Sequence, residues 1–242
     1  MERIAKVIAH AGICSRRQAE LRIQNQEVLV NGKTIDTPST RVSPDDVISV
    51  NGQIINKGVQ TRLWLYHKPV KVLVTRNDPQ GRRTFLDDWH ETSPHIVPVG
   101  RLDYNSEGLL LLTNNGDLAR KLCIPLSGIK KYYEVRIFGA ISEKQLKQIN
   151  SGLRIDGVRY EKVQVKVLSK TSQNTWVLFT LTEGKNREIR NITKFMGWRV
   201  SRLVRTAFGP FSLGTLKPGD IQEVVGKDVC KLEKALELQS NA

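Results

Sequence analysis

Three stretches of this sequence set charged or phenolic side chains against segments that must be buried. Residues 99–118 read VGRLDYNSEGLLLLTNNGDL, so Arg101 and Asp103 straddle one leucine shortly before the run Leu109, Leu110, Leu111, Leu112. If that run is a core strand, Asp103 lies on the connection that enters it, where a carboxylate can serve as nucleophile or general base. An aspartate there can equally bond backbone amides in a turn. Residues 130–139 read KKYYEVRIFG, and strand alternation puts Lys131, Tyr133, Val135 and Ile137 on one face. A tyrosine beside a cleft offers a ring that stacks on a flat base and a phenol for proton transfer; otherwise it is a core tyrosine. Residues 183–197 read EGKNREIRNITKFMG, and helical spacing separates a buried stripe (Ile189, Ile192, Met196) from a polar one (Arg187, Arg190, Asn191, Lys194). A bidentate contact from Arg190 to Asp103 would orient the carboxylate and compensate its charge in a poorly solvated site. Without that contact the polar stripe is a solvated face.

Positioning these groups requires a mixed scaffold. Residues 3–11 have amphipathic spacing and stop at Gly12, and Ser15 with Gln18 forms a capping-box pattern that opens a second helix carrying Arg16 and Arg17 in its first turn. Residues 28–30 and 33–35 flank Asn31-Gly32, a hairpin signal that brings in Lys33, and residues 47–50 form a third strand before Asn51-Gly52. Residues 56–58 read as a linker. Strands are expected at 63–66, 72–75, 109–113, 132–138, 163–168, 175–181 and 198–204. Helices are expected from an Asp117 cap through Leu122, from Ser142 to Gly152, over 186–196, and in a fraying tail from Lys227. Irregular strand order with intervening helices indicates an α+β fold.

Bulk composition narrows the chemistry. The 242 residues carry 38 Lys and Arg against 24 Asp and Glu, a formal charge of +14, and such a field attracts polyanions, nucleic acid first among them. The cations concentrate at Lys185, Arg187, Arg190, Lys194, Arg199, Arg202 and Arg205, which reads as one local surface. No apolar stretch approaches the roughly 18 residues needed to span a bilayer, and the N-terminus lacks a signal-peptide core. Cys14, Cys123 and Cys230 form no paired framework, which fits a reducing, cytoplasmic setting. Phosphate-loop, dinucleotide, metal-ligand and serine-hydrolase motifs are missing, so catalysis would rest on carboxylates, basic groups and aromatics, with no cofactor and no metal.

GRLD followed by SEGLLLLTNNGDLARKL, then KKYYEV and EGKNREIRNITKFMG, resembles the bacterial ribosomal-RNA pseudouridine synthases of the Gly-Arg-Leu-Asp signature family. RIAKVIAHAGICSRRQAE and VLVNGKTI resemble the RNA-binding domain first named in a ribosomal small-subunit protein, and HKP with VTRNDPQGRRTFLD is similar to the family's opening strand pair. The resemblance implies a small S4-like domain over 1–58 and, over 59–242, a mixed, mainly antiparallel sheet with flanking helices. It implies isomerisation of uridine to pseudouridine without cofactor, most simply in large-subunit rRNA. Small-subunit rRNA is the first alternative and transfer RNA a weaker one; a non-catalytic ribosome-assembly factor is the rival from another class. In that family Asp103 would be the nucleophile, attacking either sugar or base ring. Tyr133 would pack on the base and enter the proton step, and Arg190 would pair with the aspartate. Arg101 would help hold the nucleotide out of its helix. Lys185, Arg187 and Lys194, with Arg16, Arg17 and Lys33 on the first domain, would contact RNA. The implied partner is rRNA or an assembly particle, bound by a monomer. Three positions depart from the family pattern: Gln26 and Lys71 stand where glycine is usual, and Asn191 where a basic residue is frequent.

Overall fold

A computed structural model describes residues 1–90, 95–124 and 128–240. The first elements are β1 (Glu2–Arg3), α1 (Ile4–His10), α2 (Arg16–Gln24), β2 (Val28–Val30), β3 (Lys33–Thr34), β4 (Arg41–Val42), β5 (Ile48–Val50) and β6 (Gln53–Ile54). They enclose a core of their own, built from Ile4, Ile8, Ile23, Val28, Ile48 and Val50. The capping box forms as expected, with the Gln18 amide donating to the Ser15 hydroxyl at 3.2 Å. The β2–β3 hairpin turns at Asn31 and Gly32, both at positive φ as a two-residue turn of this type requires.

The remaining elements are β7 (Leu63–Lys68), β8 (Val97–Pro98), β9 (Glu107–Thr113), α3 (Gly116–Cys123), β10 (Lys131–Phe138), α4 (Glu143–Asn150), β11 (Leu153–Ile155), β12 (Val158–Tyr160), β13 (Gln164–Lys170), β14 (Asn174–Leu181), α5 (Glu188–Phe195), β15 (Arg199–Phe208), β16 (Phe211–Ser212), β17 (Ile221–Glu223) and α6 (Gly226–Ser240). One large sheet runs β13-β14-β10-β15-β9-β7-β17, with β16 on β15 and β8 on β9. Every pairing in it is antiparallel except β15 with β9. Helices α4 and α5 pack on one face over β10, β14 and β13, through Ile149, Ile189 and Ile192. Helices α3 and α6 cover the opposite face over β7 and β9, through Leu118, Leu122, Val229 and Leu232. None of the described helices is long and apolar enough to cross a membrane.

Four expectations are corrected. Residues 72–75 form no strand: Leu73 makes a single parallel bridge to Thr84, because the 3-10 turn Phe85–Asp88 folds back against it. Asn115, not Asp117, caps α3, its side-chain oxygen accepting from the amides of Asp117 and Leu118 at 3.0 and 3.2 Å. Helix α5 starts at Glu188, since Arg187 sits in the left-handed region at φ 52°. Strand β15 extends to Phe208, because pairing with β10 continues past residue 204 as far as Lys131.

The parallel junction depends on Gly108. Its φ is 107°, and a Cβ there would stand 2.3 Å from the Arg205 carbonyl oxygen and 2.6 Å from the Arg205 amide. These contacts are backbone and have nowhere to yield. Gly108→Ala is therefore expected to cost roughly 3 kcal/mol or more, read as a lowered midpoint in urea; a midpoint unchanged from wild type would contradict it.

Gln26 and Lys71, the positions where glycine is usual, adopt φ 61° and 62°. The backbone thus keeps the glycine conformation, and the side chains bear a left-handed penalty of about 1 kcal/mol each. Lys71 is held there by its amide, which donates to the Tyr104 carbonyl at 2.7 Å. Gln26→Gly and Lys71→Gly are expected to raise the thermal midpoint by a few degrees each, and a drop in either melting curve would show that the side chain supports its turn.

Candidate active site

Asp103 occupies the loop ahead of β9, anchored by buried Val99 and Leu102 and closed by the Ser106 amide donating to the Asp103 carbonyl at 3.0 Å. The loop lines a cavity shared with Tyr133 of β10, Arg190 of α5, and Arg205 of β15. The parallel β9–β15 pairing is what brings the Asp103 loop to the α5 side of the sheet.

Arg190 Nε lies 3.6 Å from Asp103 Oδ2, and Arg187 Nη1 lies 3.8 Å from the same oxygen. The expected meeting of Asp103 with Arg190 is present, but the contact is not bidentate. Arg190 Nη2 instead donates to the Asn105 carbonyl at 2.6 Å and to Ser106 Oγ at 3.4 Å. Burial pulls the Arg190 guanidinium below the usual arginine range, with Asp103 acting in the opposite direction. Tyr133 is half-buried beside the cavity, and its hydroxyl accepts from Arg205 Nη1 at 3.5 Å. Arg101 is exposed at the cavity wall.

The RNA-contact candidates divide. Lys185 and Arg187 line the cavity, Lys185 ion-paired to Glu183 and lying 5.8 Å over the Tyr160 ring. Lys194 is exposed on α5 outside the cavity. Arg16, Arg17 and Lys33 are exposed on the N-terminal unit and do not line this cavity; Arg16 faces Glu20 at 3.5 Å. Asn191 donates to Tyr160 Oη at 3.0 Å, which ties α5 to β12.

Three buried groups stand outside the expected site residues, Arg205 and Glu188 on the cavity wall and Lys68 beyond its lining. Arg205 is 2% exposed, its Nε donating to the Leu109 carbonyl at 2.6 Å, its guanidinium 6.0 Å from the Tyr133 ring centroid, and its Nη2 without a partner among the described residues. Lys68 is fully buried, its Nζ donating to the Pro69 carbonyl at 2.7 Å; burial pushes it down to about 8 against the pull of Asp103 and Glu107. Glu188 is 4% exposed beside Glu183, and burial together with the Glu183 charge pushes it up to about 8. Its Oε2 accepts from the Lys185 amide at 3.0 Å, so this acid pair holds the loop that carries Arg187. The basic run at 183–205 is therefore not one surface, since Arg205 is interior and Arg199 and Arg202 lie elsewhere on the sheet.

The raised Glu188 has a signed consequence. Between the ordinary carboxylate range and about 8 the folded protein holds a proton that the unfolded chain has released, so stability falls as pH rises through that window. Glu188→Gln cannot ionise, and its amide oxygen can keep the contact with the Lys185 amide. It is expected to melt near wild type at pH 5 and a few degrees above it at pH 7.5. A wild-type midpoint that rises across this window relative to the variant would contradict the assignment.

Comparison with known proteins follows the same lines as this geometry. Residues 62–194 match the family model described as RNA pseudouridylate synthase, and residues 2–48 match the S4 domain. An uncharacterised RNA pseudouridine synthase of Rickettsia conorii is 44% identical over 227 residues, covering 94% of this chain and 98% of the relative. The ribosomal large subunit pseudouridine synthase B of Bacillus subtilis is 35% identical over 244 residues, covering 100% of both chains. A crystal structure of a pseudouridylate synthase has the same fold at a TM-score of 0.68 and 22% identity, covering 96% of this chain and 100% of that one. With an S4 domain ahead of the catalytic sheet, the chain belongs to the RNA pseudouridylate synthase family.

Proposed function

We propose that this enzyme converts a uridine of large-subunit ribosomal RNA to pseudouridine, with Asp103 as the nucleophile and residues 1–58 as an RNA-binding domain. The observation that carries the reading is the Asp103 carboxylate at the cavity mouth, faced by Arg190 at 3.6 Å and Arg187 at 3.8 Å with Tyr133 beside it. The full-length similarity to a relative named for the large subunit supports the choice of RNA.

The chemistry follows from the groups present. A base buried in an RNA helix is out of reach of a protein carboxylate, so the target nucleotide leaves its stack, at a cost of a few kcal/mol. Phosphate contacts from Arg101, Arg187, Lys185 and Lys194, and from Arg16, Arg17 and Lys33 on the first domain, offset that cost. Attack by Asp103 lets the bond from the sugar to N1 break. The uracil rotates within the cavity and rejoins the sugar through carbon 5 as the bond to Asp103 breaks, and carbon 5 then gives up its proton. Tyr133, on the cavity wall, packs on the base and takes part in that proton transfer.

Tritium release from rRNA labelled at uridine carbon 5 tests the assignment. Purified enzyme should release tritium from large-subunit transcripts, and Asp103→Asn should release none while binding the same transcript within about twofold. Release from small-subunit transcripts alone would overturn the choice of RNA. Full release by Asp103→Asn would overturn its role as nucleophile.

A further inference from the structure

Arg199 and Arg202 belong to the basic run of the sequence but have no place in the active site. Strand register puts them on the sheet face opposite α5. Arg202 stands across from Arg136 on β10, which stands across from Trp176 on β14 and then Ser169 on β13. In the next row Arg199 faces Phe138, and two residues the other way Glu134 faces Leu178 and Lys166. Helices α3 and α6 cover this face over β7, β9 and the Phe208 end of β15. Over β10, β14 and β13 no hydrophobic cluster among the described residues lies on it. Arg136, Arg199, Arg202 and Lys166 are exposed, Phe138 is 59% exposed, and Trp176 is half-buried in the middle of the face.

This arrangement is unfavourable in isolation. Like charges directly opposite across strands repel, and Arg136 faces Arg202 in that way. Only Arg202 has an acidic partner, Glu107 at 2.6 Å; no ion pair joins Arg136, Arg199 or Lys166 to an acid among the described residues. An open antiparallel sheet with aromatic rings between cations matches single-stranded RNA, whose bases stack on the rings while its phosphates neutralise the charge. A second copy of the chain would bring the same excess of cations against itself.

We propose that the open half-face of β13, β14, β10 and β15 is a second RNA-contact surface, taking a single-stranded segment of the substrate with phosphates at Arg136, Arg199 and Lys166 and bases on Trp176 and Phe138. It rests on the enzyme acting on RNA and is independent of which ribosomal RNA is modified.

The test is anisotropy of a labelled 20-nucleotide oligouridylate bound to the full chain across a salt series. The Arg136→Gln/Arg199→Gln double variant is compared with Lys144→Gln/Lys147→Gln, which removes equal charge from exposed positions on α4 of the other face. The first pair should weaken binding about tenfold and lower the slope of log affinity against log salt by roughly 1.4, about 0.7 for each lost phosphate contact. The α4 pair should stay within about twofold. Equal losses from both pairs, or no loss from the first, would overturn the proposal. So would sedimentation showing a wild-type dimer that the first pair dissociates. Oligouridylate binding with this pattern alongside absent tritium release would sink the catalytic assignment alone.

Discussion

The approach of β9 to the backbone of β15 at Gly108 and Arg205 organises the catalytic half of the molecule. It is the single parallel step in an otherwise antiparallel sheet, and it joins the half built on β7 and β9 to the half built on β10, β14 and β13. Only a residue without Cβ lets the two backbones come this close. Since Asp103 enters from one half and Arg190 and Tyr133 from the other, the site exists where the two halves meet. The Arg205 side chain crosses the same junction, bonded to the Leu109 carbonyl on one side and the Tyr133 hydroxyl on the other. A single short stretch thus sets both the backbone spacing and the position of the tyrosine.

Electrostatically, the cavity gathers several poorly solvated cations around one carboxylate at its mouth. Lys131 on the cavity wall and Lys68 outside it are both pushed down, chiefly by burial, and Lys131 also by the charge of Arg205. At the far wall the acidic counterweight is Glu183, drawn low by Lys185 and the Glu161 amide, while Glu188 beside it keeps its proton. The net field favours a polyanion, as expected for a site that must draw a phosphate backbone close while leaving its aspartate reachable.

Much of this was legible in residue order. Leucines 109–112, the Ser15 capping box, the helix opening at Ser142, and the alternation of β10 follow from local patterns that the structure bears out. The approach of Arg190 to Asp103 was inferred from type and spacing, although its single-sided geometry was not, because the grip on Asn105 depends on how the loop closes. The β11–β12 hairpin was missed despite an Asp156-Gly157 turn signal, since its flanking strands have three residues each. Arg205 reads in the sequence as part of a basic surface because only long-range strand pairing buries it, and the same kind of pairing buries Lys68. Residues 72–75 have the composition of a strand but lack an adjacent edge with which to pair.

Arg190 is fastened to the Asn105 carbonyl and the Ser106 hydroxyl, with only its Nε turned toward Asp103. Its position is therefore set by the loop backbone and would survive any change in the charge of the aspartate. A carboxylate that becomes an ester during attack loses its attraction for a cation, and a guanidinium held by that attraction alone would drift away. Under the proposed role of Asp103 as nucleophile, a guanidinium held in this way would stay in place, and the site would regain its starting arrangement after each turnover without rebuilding an ion pair.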